Sequence, residues 1–471
     1  MTAGSCRVPQ AAGFSRMAQC RAISGVATKA FSAAKTGNDG LARKGDYTML
    51  SGFSRAAAAA SVCIGLCALA GFTTEAGATT ETVIYSFQDN GKDGYFPGAV
   101  LINADGVLYG TTQYGGTGRC INGCGAIFSV APATGSESVL YSFRGDQPAR
   151  PSSLIKVGNQ LFGTTAQGGH RHEGSLFSLD LTSGAFSTQY SFCNLFDCSD
   201  GSAPDTGLLA WNGTLFGAAR SEPNANGNGL VFSFDPQTGT ETSIHDFCNH
   251  TGCKDGALPQ GGMVHSGKKL YGVALIGGHG CQQYSQGGCG VVYRLDPTGE
   301  SQTAIYSFCS QQGCSDGAYP TGAMTKAGGM FYGITQYGGI GTFSCVSYLP
   351  GCGVVFGIDP ATHTETVLHA FAADGSDGLQ PVGGVIEVNG LLYGTTENGG
   401  AQGKGTVYSV DPSTGAEKIV YSFCSQTGCT DGSTPEAGLV NVNGTLYGTT
   451  VSGGAGGCDG AGCGTVFAIT P

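Results

Sequence analysis

The sequence has few cations, and this shortage limits the partners that the protein can bind. Lys and Arg total 22 against 33 Asp and Glu, for a formal net charge of −11. Eight of the cations but only three of the anions lie in residues 1–78, so the remainder of the chain is more acidic still. Such a surface repels phosphate backbones and anionic lipid headgroups, which argues against nucleic-acid and membrane partners.

Helical periodicity and familiar catalytic motifs are also missing. The Ala-rich run near residue 60 is the longest apolar stretch, and from Ala56 to Phe72 it is too short for a spanning helix of about 20 residues. The sequence contains no HExxH, no G-x-S-x-G, no Walker loop and no dinucleotide fingerprint before a helix. Short β-branched and aromatic runs between Gly, Asn-Gly and Asp-Pro predict an all-β chain.

The first 78 residues differ from the rest. Residues 49–78 have one cation, Arg55, then an apolar stretch, then Ala76-Gly77-Ala78, which is the pattern of a signal peptide cleaved after Ala78. Residues 1–48 are interpreted as an upstream extension that is disordered or not translated, with Met17 or Met49 as the true start. Lipid modification at Cys67 is an alternative, although Gly65-Leu66 makes a poor lipidation box. No apolar tail follows at the C-terminus, so we expect an exported protein, periplasmic or extracellular, without a membrane anchor.

Sixteen of the 20 cysteines follow the signal, in eight close pairs. The pairs are Cys120/Cys124, Cys193/Cys198, Cys248/Cys253, Cys281/Cys289, Cys309/Cys314, Cys345/Cys352, Cys424/Cys429 and Cys458/Cys463. An even number of cysteines in an exported chain predicts disulfides. Zinc is the alternative, but no His recurs beside the pairs and most spacings exceed C-x-x-C. Loops this small contribute about 2 kcal/mol each, so they would pin loops rather than hold the domain together.

Three signatures each occur seven times in residues 79–471. "LYGTT"-like segments begin at Leu108, Leu161, Leu215, Leu270, Phe331, Leu392 and Leu446. "GTVF"-like segments begin at Gly125, Gly174, Gly229, Gly290, Gly353, Gly405 and Gly464. "YSF"-like segments end at Phe87, Phe143, Phe192, Phe247, Phe308, Phe371 and Phe423.

A fourth apolar run precedes each "LYG" segment, so every repeat has four strands. Asn-Gly and Asp-Gly dipeptides such as Asn389-Gly390 join strands one and two, and Asp-Pro turns join strands three and four. Four strands in a repeat of roughly 50–60 residues predict a β-propeller, and a β-solenoid, whose coils are shorter, is the alternative. The last repeat stops after "GTVFAITP", whereas "ETVIYSF" at the start has no preceding strands. We therefore predict a seven-bladed β-propeller with four antiparallel strands per blade, closed by the N-terminal strand completing the last blade.

The combined pattern "LYGTT..GG....GTVF...P.TG....LYSF....DG..P..GL" over residues 79–471 resembles the GloVer tandem repeat of exported bacterial proteins, also named choice-of-anchor repeat proteins. The resemblance implies export and brings no catalytic residues to carry over. Family members often end in an anchoring tail, which this sequence does not show. Kelch propellers share the Gly-Gly after strand two, but their paired Tyr and Trp are missing here, and Trp211 is the single tryptophan.

The longer connections predict which end of the blades binds ligands. Strand parity places the connections after strands two and four at the same end of every blade, and all eight cysteine pairs belong to these connections. Long loops on a rigid scaffold are the usual place for binding. Six Asp-Gly aspartates recur there, at Asp93, Asp200, Asp255, Asp316, Asp377 and Asp431. Side-chain capping of a turn explains them, and the alternative is a ring of carboxylates that binds Ca²⁺.

Departures from the repeat supply the candidate binding residues. The second and third repeats carry "QGGHRHEGSLF" and "AARSEPNANGNG" in place of the common loop, which brings His170, Arg171, His172, Glu173, Arg220 and Glu222 to neighbouring connections. This mixture could bind an acidic group or use a His as proton carrier, although drifted, solvated loops would look the same.

We expect a monomeric, non-enzymatic binding scaffold for a glycan or protein, without a cofactor. The alternatives are a secreted glycan hydrolase or lyase with carboxylates at the central channel, and a purely structural surface or matrix protein.

Overall fold

The protein is built from short β-strands. The computed structural model describes residues 80–145, 148–195, 197–220, 227–248, 251–279, 287–339, 345–346, 349–373, 375 and 377–471. These residues contain no α-helix, and four single-turn 3₁₀ helices lie in the loops, at His170–His172, Gln312–Cys314, Thr427–Cys429 and Cys458–Gly460. Among the described residues, no helix has the length and apolarity needed to cross a membrane.

The strands form four-stranded antiparallel sheets in a propeller-like arrangement, numbered here along the chain. The first two strands are β1 (Thr80–Ser86) and the short β2 (Gly94–Tyr95). Sheet 1 contains β3 (Ile102–Ala104), β4 (Val107–Thr112), β6 (Ala126–Ala131) and β7 (Ser136–Ser142), and β5 (Tyr114–Gly115) pairs with β2. Sheet 2 contains β8 (Ala149–Val157), β9 (Gln160–Gln167), β10 (Ser175–Asp180) and β11 (Phe186–Ser191). Sheet 3 contains β12 (Leu209–Trp211), β13 (Thr214–Ala219), β14 (Leu230–Asp235) and β15 (Thr240–Asp246).

The second half of the chain continues the same order. Sheet 4 contains β16 (Ala257–Ser266), β17 (Lys269–Ile276), β18 (Val291–Leu295) and β19 (Gln302–Ser307). Sheet 5 contains β20 (Ala318–Ala327), β21 (Met330–Tyr337), β22 (Val354–Ile358) and β23 (Glu365–Ala370). Sheet 6 contains β24 (Gly378–Val388), β25 (Leu391–Gly399), β26 (Thr406–Val410) and β27 (Glu417–Ser422), and one parallel pair, Ala323 with Gly384, joins it to sheet 5.

The first strand of the described chain belongs to the last sheet. Sheet 7 contains β28 (Val440–Val442), β29 (Thr445–Thr450), β30 (Thr465–Thr470) and β1, in the spatial order β1-β30-β29-β28. Strand β1 pairs with β30 antiparallel, with Thr80 opposite Thr470 and Ser86 opposite Thr465. The sequence predicted this pairing because the last repeat lacks its own fourth strand.

Asparagine-glycine turns connect strands one and two, as the sequence indicated. Asn443 and Gly444 have φ angles of +53° and +88°, and Asn389 and Gly390 have φ angles of +53° and +86°. Two consecutive residues with positive φ match the right-handed twist of the strands that a two-residue turn joins. These turns lie at the end of the sheets opposite the cysteine-bearing connections.

Neighbouring sheets pack through buried apolar side chains. The phenylalanine that ends each "YSF"-like segment is almost completely buried, as in Phe87 and Phe308. Phe87 packs edge-on against Phe128 with ring centroids 5.0 Å apart, and Phe308 packs in the same way against Phe356, also at 5.0 Å. Burial of a Phe side chain is worth about 2–3 kcal/mol, so this repeated contact stabilises every junction at which it occurs.

A backbone hydrogen bond also recurs at the sheet junctions. Each sheet has an X-Pro pair, either at the start of its first strand or shortly before that strand. The N–H of X donates to the carbonyl that precedes the glycine of the "GTVF" segment one sheet earlier. The bonds run from Phe96 to Cys463, Arg150 to Cys124, Ala203 to Glu173, Leu258 to Asn228, Tyr319 to Cys289, Gln380 to Cys352 and Thr434 to Lys404. The bond from Phe96 joins sheet 1 to sheet 7.

The glycine next to each of these carbonyls is required by the same contact. A Cβ at Gly125 or Gly464 would collide with Cδ of the proline at the start of the next sheet, Pro151 or Pro97 respectively. Both glycines also have φ near +90°, which L side chains rarely adopt. The Gly–Pro contact therefore explains why "GTVF" segments begin with glycine, and it gives a role to the proline near the start of strand one.

Residues Ala78–Pro471 form one compact unit. The predicted extension at 1–48 and the predicted signal peptide at 49–78 lie outside the described residues.

Candidate functional site

The long connections lie at one end of the sheets, which we call the disulfide face. Because the strands of each sheet are antiparallel and in sequence order, the connections after strands two and four emerge at the same end. Seven cysteine pairs in these connections are disulfides: Cys120–Cys124, Cys193–Cys198, Cys248–Cys253, Cys309–Cys314, Cys345–Cys352, Cys424–Cys429 and Cys458–Cys463. Cys289 is also disulfide-bonded, and its predicted partner Cys281 lies outside the described residues.

The residue before each junction proline has the same backbone but a different side chain in each sheet. All seven have left-handed φ angles between +50° and +63°, at Phe96, Arg150, Ala203, Leu258, Tyr319, Gln380 and Thr434. A non-glycine residue with this φ is uncommon, so the surrounding structure imposes it. The repetition shows that the backbone is scaffold, whereas the side chains are free to differ.

A polar depression of about 380 Å³ lies on the disulfide face at sheets 1 to 3. Its side-chain donors and acceptors are contributed by Gln113, Arg150, Ser152, Gln167 and Asp205. Volumes of this size are typical of small-ligand sites, in which a few polar groups orient the bound molecule. The depression therefore provides both hydrogen-bond donors and acceptors in one place.

Arg220 holds one side of this depression in place. Its Nη1 donates to Asp205 Oδ2 at 2.9 Å. With the Gln260 amide oriented so that its oxygen faces Arg220, that oxygen accepts hydrogen bonds from Nη2 and Nε at 3.2 and 3.1 Å. Oδ1 of Asp205 is buried and has no hydrogen-bond partner among the described residues. Asp205 thus retains an unused acceptor beside the depression.

A pair of tyrosines lies beside Arg150, which lines the depression. The guanidinium carbon of Arg150 lies 5.5 Å from the centroid of the Tyr114 ring, a cation–π arrangement. Tyr114 stacks on Tyr95 with centroids 5.7 Å apart and planes inclined by 28°. The Tyr114 ring therefore orients Arg150, which lines the depression together with Gln113.

A pair of carboxyl groups lies near the same region. Burial, together with the negative charge of Glu397, raises the pKa of Glu436 to about 7. Burial also raises the pKa of Glu397. Gly98, which lines the depression, lies close enough that a Cβ there would be 3.8 Å from Oε2 of Glu436 and 3.2 Å from Nε2 of Gln113. Glu436 is therefore a neighbour of the polar depression and is able to hold a proton near neutral pH.

The residues predicted as a patch have different partners. His170, Arg171 and His172 are exposed on a single-turn helix, and Nη1 of Arg171 donates to the Leu195 carbonyl at 3.1 Å. The carbonyl of Glu173 accepts from Ala203 N–H, and the carbonyl of Ala203 accepts from Arg220 N–H at 3.3 Å. Arg220 contacts Asp205, which lines the polar depression, and Glu222 lies outside the described residues.

The recurring aspartates are parts of buried junction clusters. In four clusters, a tyrosine hydroxyl donates to the carboxylate at 2.8–2.9 Å: Tyr85 to Asp93, Tyr190 to Asp200, Tyr306 to Asp316 and Tyr421 to Asp431. In the other two, a histidine faces the aspartate, as His245 faces Asp255 and His369 faces Asp377. Backbone N–H groups also donate to these carboxylates, for example Gln88 to Asp93 at 3.0 Å. This bonding is the side-chain capping that the sequence indicated.

Each junction cluster has a third member from strand four of the next sheet. Glu137, Glu241, Glu365, Glu417 and Glu81 occupy this position beside Asp93, Asp200, Asp316, Asp377 and Asp431 respectively. Burial, together with the negative charge of the neighbouring aspartate, raises the pKa of all five glutamates to about 7. Gln302 takes the place of glutamate in the Asp255 cluster and donates to the Asp255 carbonyl at 2.9 Å.

The junction between sheets 1 and 2 is built differently. Tyr141 stacks on Phe186 with centroids 3.9 Å apart and nearly parallel planes, so Phe186 occupies the position of the glutamate. An open groove of about 740 Å³ follows these outer strands and is also lined by Arg144.

The patch predicted from the sequence includes Arg220 but not Gln113, Arg150, Asp205, Glu397 or Glu436. The signal was present, because Arg150 precedes and Asp205 and Glu436 follow junction prolines whose neighbours differ from repeat to repeat. Only the structure, however, shows that these positions face the same region of the disulfide face.

Comparison with solved structures finds similar all-β chains at low identity. A computationally designed protein, Ika8, is 13% identical, covers 83% of this chain and 99% of its own, and has a TM-score of 0.45. An oligogalacturonate lyase from Vibrio parahaemolyticus is 10% identical, covers 83% of this chain and 97% of its own, and has a TM-score of 0.46. A chain of a nidogen/laminin complex is 13% identical, covers 63% of this chain and 89% of its own, and has a TM-score of 0.38.

No curated protein matches the chain. The model of the Gloeobacter/Verrucomicrobia repeat matches residues 69–282, 194–350 and 341–471. These matches span the repeats that the "LYGTT", "GTVF" and "YSF" signatures define, and they confirm the resemblance that those signatures indicated. The chain belongs to the Gloeobacter/Verrucomicrobia repeat family.

Proposed function

We propose that residues 79–471 form a closed seven-bladed β-propeller that acts as an exported binding scaffold. The seven X-Pro hydrogen bonds support closure, because the bond from Phe96 to Cys463 is equivalent to the six bonds between consecutive sheets. Thr449 adds a second link by donating through Oγ1 to the Pro97 carbonyl at 2.7 Å. The disulfides fit an oxidising compartment outside the cytoplasm.

The ligand binds in the polar depression on the disulfide face. The observation that carries this proposal is the arrangement of Arg150, Asp205 and Arg220, in which two cations are held in place while Asp205 Oδ1 has no partner. A small glycan fits this chemistry, because its hydroxyl groups both donate and accept and its ring faces pack on aromatic side chains such as Tyr114. A protein partner would need a larger contact area than this depression offers.

Glu397 and Glu436 favour a second candidate, a secreted glycan hydrolase or lyase. A carboxyl group with a pKa near 7 beside an ionisable carboxylate is the arrangement that glycosidases use for a general acid and its partner. In the hydrolase form of this candidate, Glu436 donates a proton to the leaving glycosidic oxygen, while Glu397 accepts a proton from the water that attacks the anomeric carbon and breaks the glycosidic bond.

A glycan-array screen of the full-length protein tests both candidates. We expect binding to a restricted glycan class, with affinity reduced at least tenfold by Arg220→Ala and by Arg150→Ala, while Lys418→Ala, which removes an exposed cation on β27, binds like the wild type. His172→Ala tests whether the single-turn helix contributes to the same site. Unchanged binding by both arginine variants would overturn the proposal. Incubation of the bound glycan with the wild type and with Glu436→Gln separates the two candidates. An enzyme releases cleavage products as wild type but not as Glu436→Gln, whereas a binding scaffold releases none in either form.

A further inference from the structure

Two of the six junction clusters contain histidine where the other four contain tyrosine. The cluster between sheets 5 and 6 combines His369 with Asp377 and Glu417, and these side chains each offer a ligand atom within 4.8 Å of the others. The cluster of His245 and Asp255 has Gln302 in the third position and so lacks the second carboxylate. Only one cluster in the described part of the chain therefore combines an imidazole with two carboxylates.

We propose that His369, Asp377 and Glu417 form a binding site for a divalent transition-metal cation such as Zn²⁺. Nε2 of His369 lies 2.9 Å from Oδ2 of Asp377, which is a hydrogen-bond distance. Bonds of about 2.0–2.2 Å to a tetrahedral cation place ligand atoms roughly 3.3–3.6 Å apart, so metal binding requires these two atoms to separate by about 0.5 Å and Glu417 to rotate toward them. Three protein ligands leave a fourth position for water, as in open zinc sites.

The imidazole distinguishes this cluster from its tyrosine counterparts. Oε1 of Glu417 is buried from solvent and has no hydrogen-bond partner among the described residues, and the same holds for Oε1 of the junction glutamates Glu81, Glu137, Glu241 and Glu365. In the tyrosine clusters the third member is a hydroxyl, such as that of Tyr306, which donates to Asp316 and lies 3.3 Å from Oε2 of Glu365. His369 replaces this hydroxyl with a ring nitrogen that is able to bind a metal ion. A cation between the two carboxylates satisfies them at once.

The charges and the ligand types select the cation. Two carboxylates and a neutral imidazole around a divalent ion give a neutral buried group, whereas two unpaired carboxylates in a partly dry junction repel each other. The imidazole favours Zn²⁺ over Ca²⁺, which prefers six or more oxygen ligands.

The cation links two sheets. His369 lies on β23 of sheet 5, Asp377 lies in the connection to sheet 6, and Glu417 begins β27 of sheet 6. A metal ion bound only by the folded chain raises stability by an amount that grows with the ratio of free ion to dissociation constant. Zn²⁺ should therefore raise the melting temperature of the protein as well as bind to it.

The test uses untagged full-length protein with Zn²⁺ alone as the probe. Isothermal titration calorimetry measures binding, and thermal melting with and without Zn²⁺ measures the change in stability. We expect one Zn²⁺ per chain at this site, absent or weakened roughly a hundredfold or more in His369→Tyr, because removal of a ligand costs at least as much as loss of an outer-shell contact. His369→Tyr installs the residue found in the four tyrosine clusters, so it should fold like the wild type. Glu417→Gln, which keeps the shape, should weaken binding too.

His245→Tyr is the matched control, since it changes the other histidine cluster in the same way. Binding that persists unchanged in His369→Tyr, or that is lost equally in His245→Tyr, would overturn the proposal. Preference for Ca²⁺ over Zn²⁺ would overturn it as well, because oxygen-only coordination would then account for binding.

Discussion

The backbone N–H of Phe96 donates a hydrogen bond of 3.2 Å to the carbonyl oxygen of Cys463. These residues lie near opposite ends of the described chain, yet their bond repeats the geometry found between consecutive sheets. Next to it, Gly464 contacts Pro97 as Gly125 contacts Pro151. The stability of sheet 7 therefore depends on contacts made by both ends of the chain.

Replacement of Gly464 by alanine should destabilise the protein more than replacement of Gly444. Both glycines have similar φ angles, +93° and +88°, so both variants carry a left-handed alanine that costs about 1–2 kcal/mol. At Gly464 the new Cβ would also meet the Thr450 carbonyl and Pro97, whereas at Gly444 nothing lies within 4 Å. We expect Gly464→Ala to lower the free energy of unfolding by about 3–5 kcal/mol in urea titrations. Equal losses in the two variants would contradict the Gly–Pro contact.

Removal of one tyrosine hydroxyl from a junction cluster should also destabilise the fold. The Tyr421 hydroxyl donates to Asp431 at 2.8 Å, so Tyr421→Phe leaves a buried carboxylate with one donor fewer. The expected loss is about 1–3 kcal/mol, measured by chemical denaturation. Tyr109→Phe is the control, because the Tyr109 hydroxyl has no hydrogen bond within the described ranges. A similar effect of both substitutions would show that the clusters are not stabilising.

The junction glutamates should make stability fall as pH rises. Burial, followed by the charge of a neighbouring aspartate, raises the pKa of Glu81, Glu137, Glu241, Glu365 and Glu417 from 4.5 to about 7. Because the folded chain holds these protons more tightly than the unfolded chain, the stabilisation is complete below about pH 4.5 and is lost as pH rises through about 7.

We therefore expect a lower melting temperature at pH 8 than at pH 5.5. Glu137→Gln combined with Glu365→Gln should reduce this difference, since two of the five titrating groups are then neutral at both pH values. Glu300→Gln, a change at an exposed position, should leave the difference unaltered. A double variant with the wild-type pH dependence would show that these carboxyls do not titrate as described.

Loss of one disulfide should loosen a loop without unfolding the sheets. The Cys458–Cys463 bridge closes a short loop after β29, so the chain-entropy estimate gives about 2 kcal/mol for its removal. Replacement of both cysteines by serine should keep the far-ultraviolet circular dichroism spectrum and increase proteolysis between β29 and β30. Global unfolding at room temperature in this variant would show that the bridge stabilises the whole domain.

The strand order was predictable because the same sequence pattern occurs in seven consecutive repeats. Short apolar runs recur in all seven repeats, with Asn-Gly or Asp-Pro turns in several of them, and the seven copies remove the ambiguity that a single short strand would leave. The last repeat has three strands and the segment before the first repeat has one, so the count of strands predicted that β1 pairs with β30. Close cysteine spacing likewise predicted disulfides without any knowledge of the fold.

The site was less predictable, because it is made by residues from different repeats. The interaction of Glu436 with Glu397 joins sheets 7 and 6, and the approach of Glu417 to His369 joins sheets 6 and 5. Neither pair is adjacent in the sequence, and which side chains meet depends on how one sheet packs on the next. The left-handed backbone at Arg150, which directs its side chain over Tyr114, also has no sequence signal apart from the proline that follows.

The antiparallel pairing of Thr80 with Thr470 brings two distant points of the chain to one edge of sheet 7. A short linker between Thr80 and Thr470 would circularise this part of the chain, and opening it at the Asn389-Gly390 turn would create new termini. The folded structure would then not depend on which sheet is synthesised first. A circularly permuted version that begins in sheet 6 should contain the same contacts.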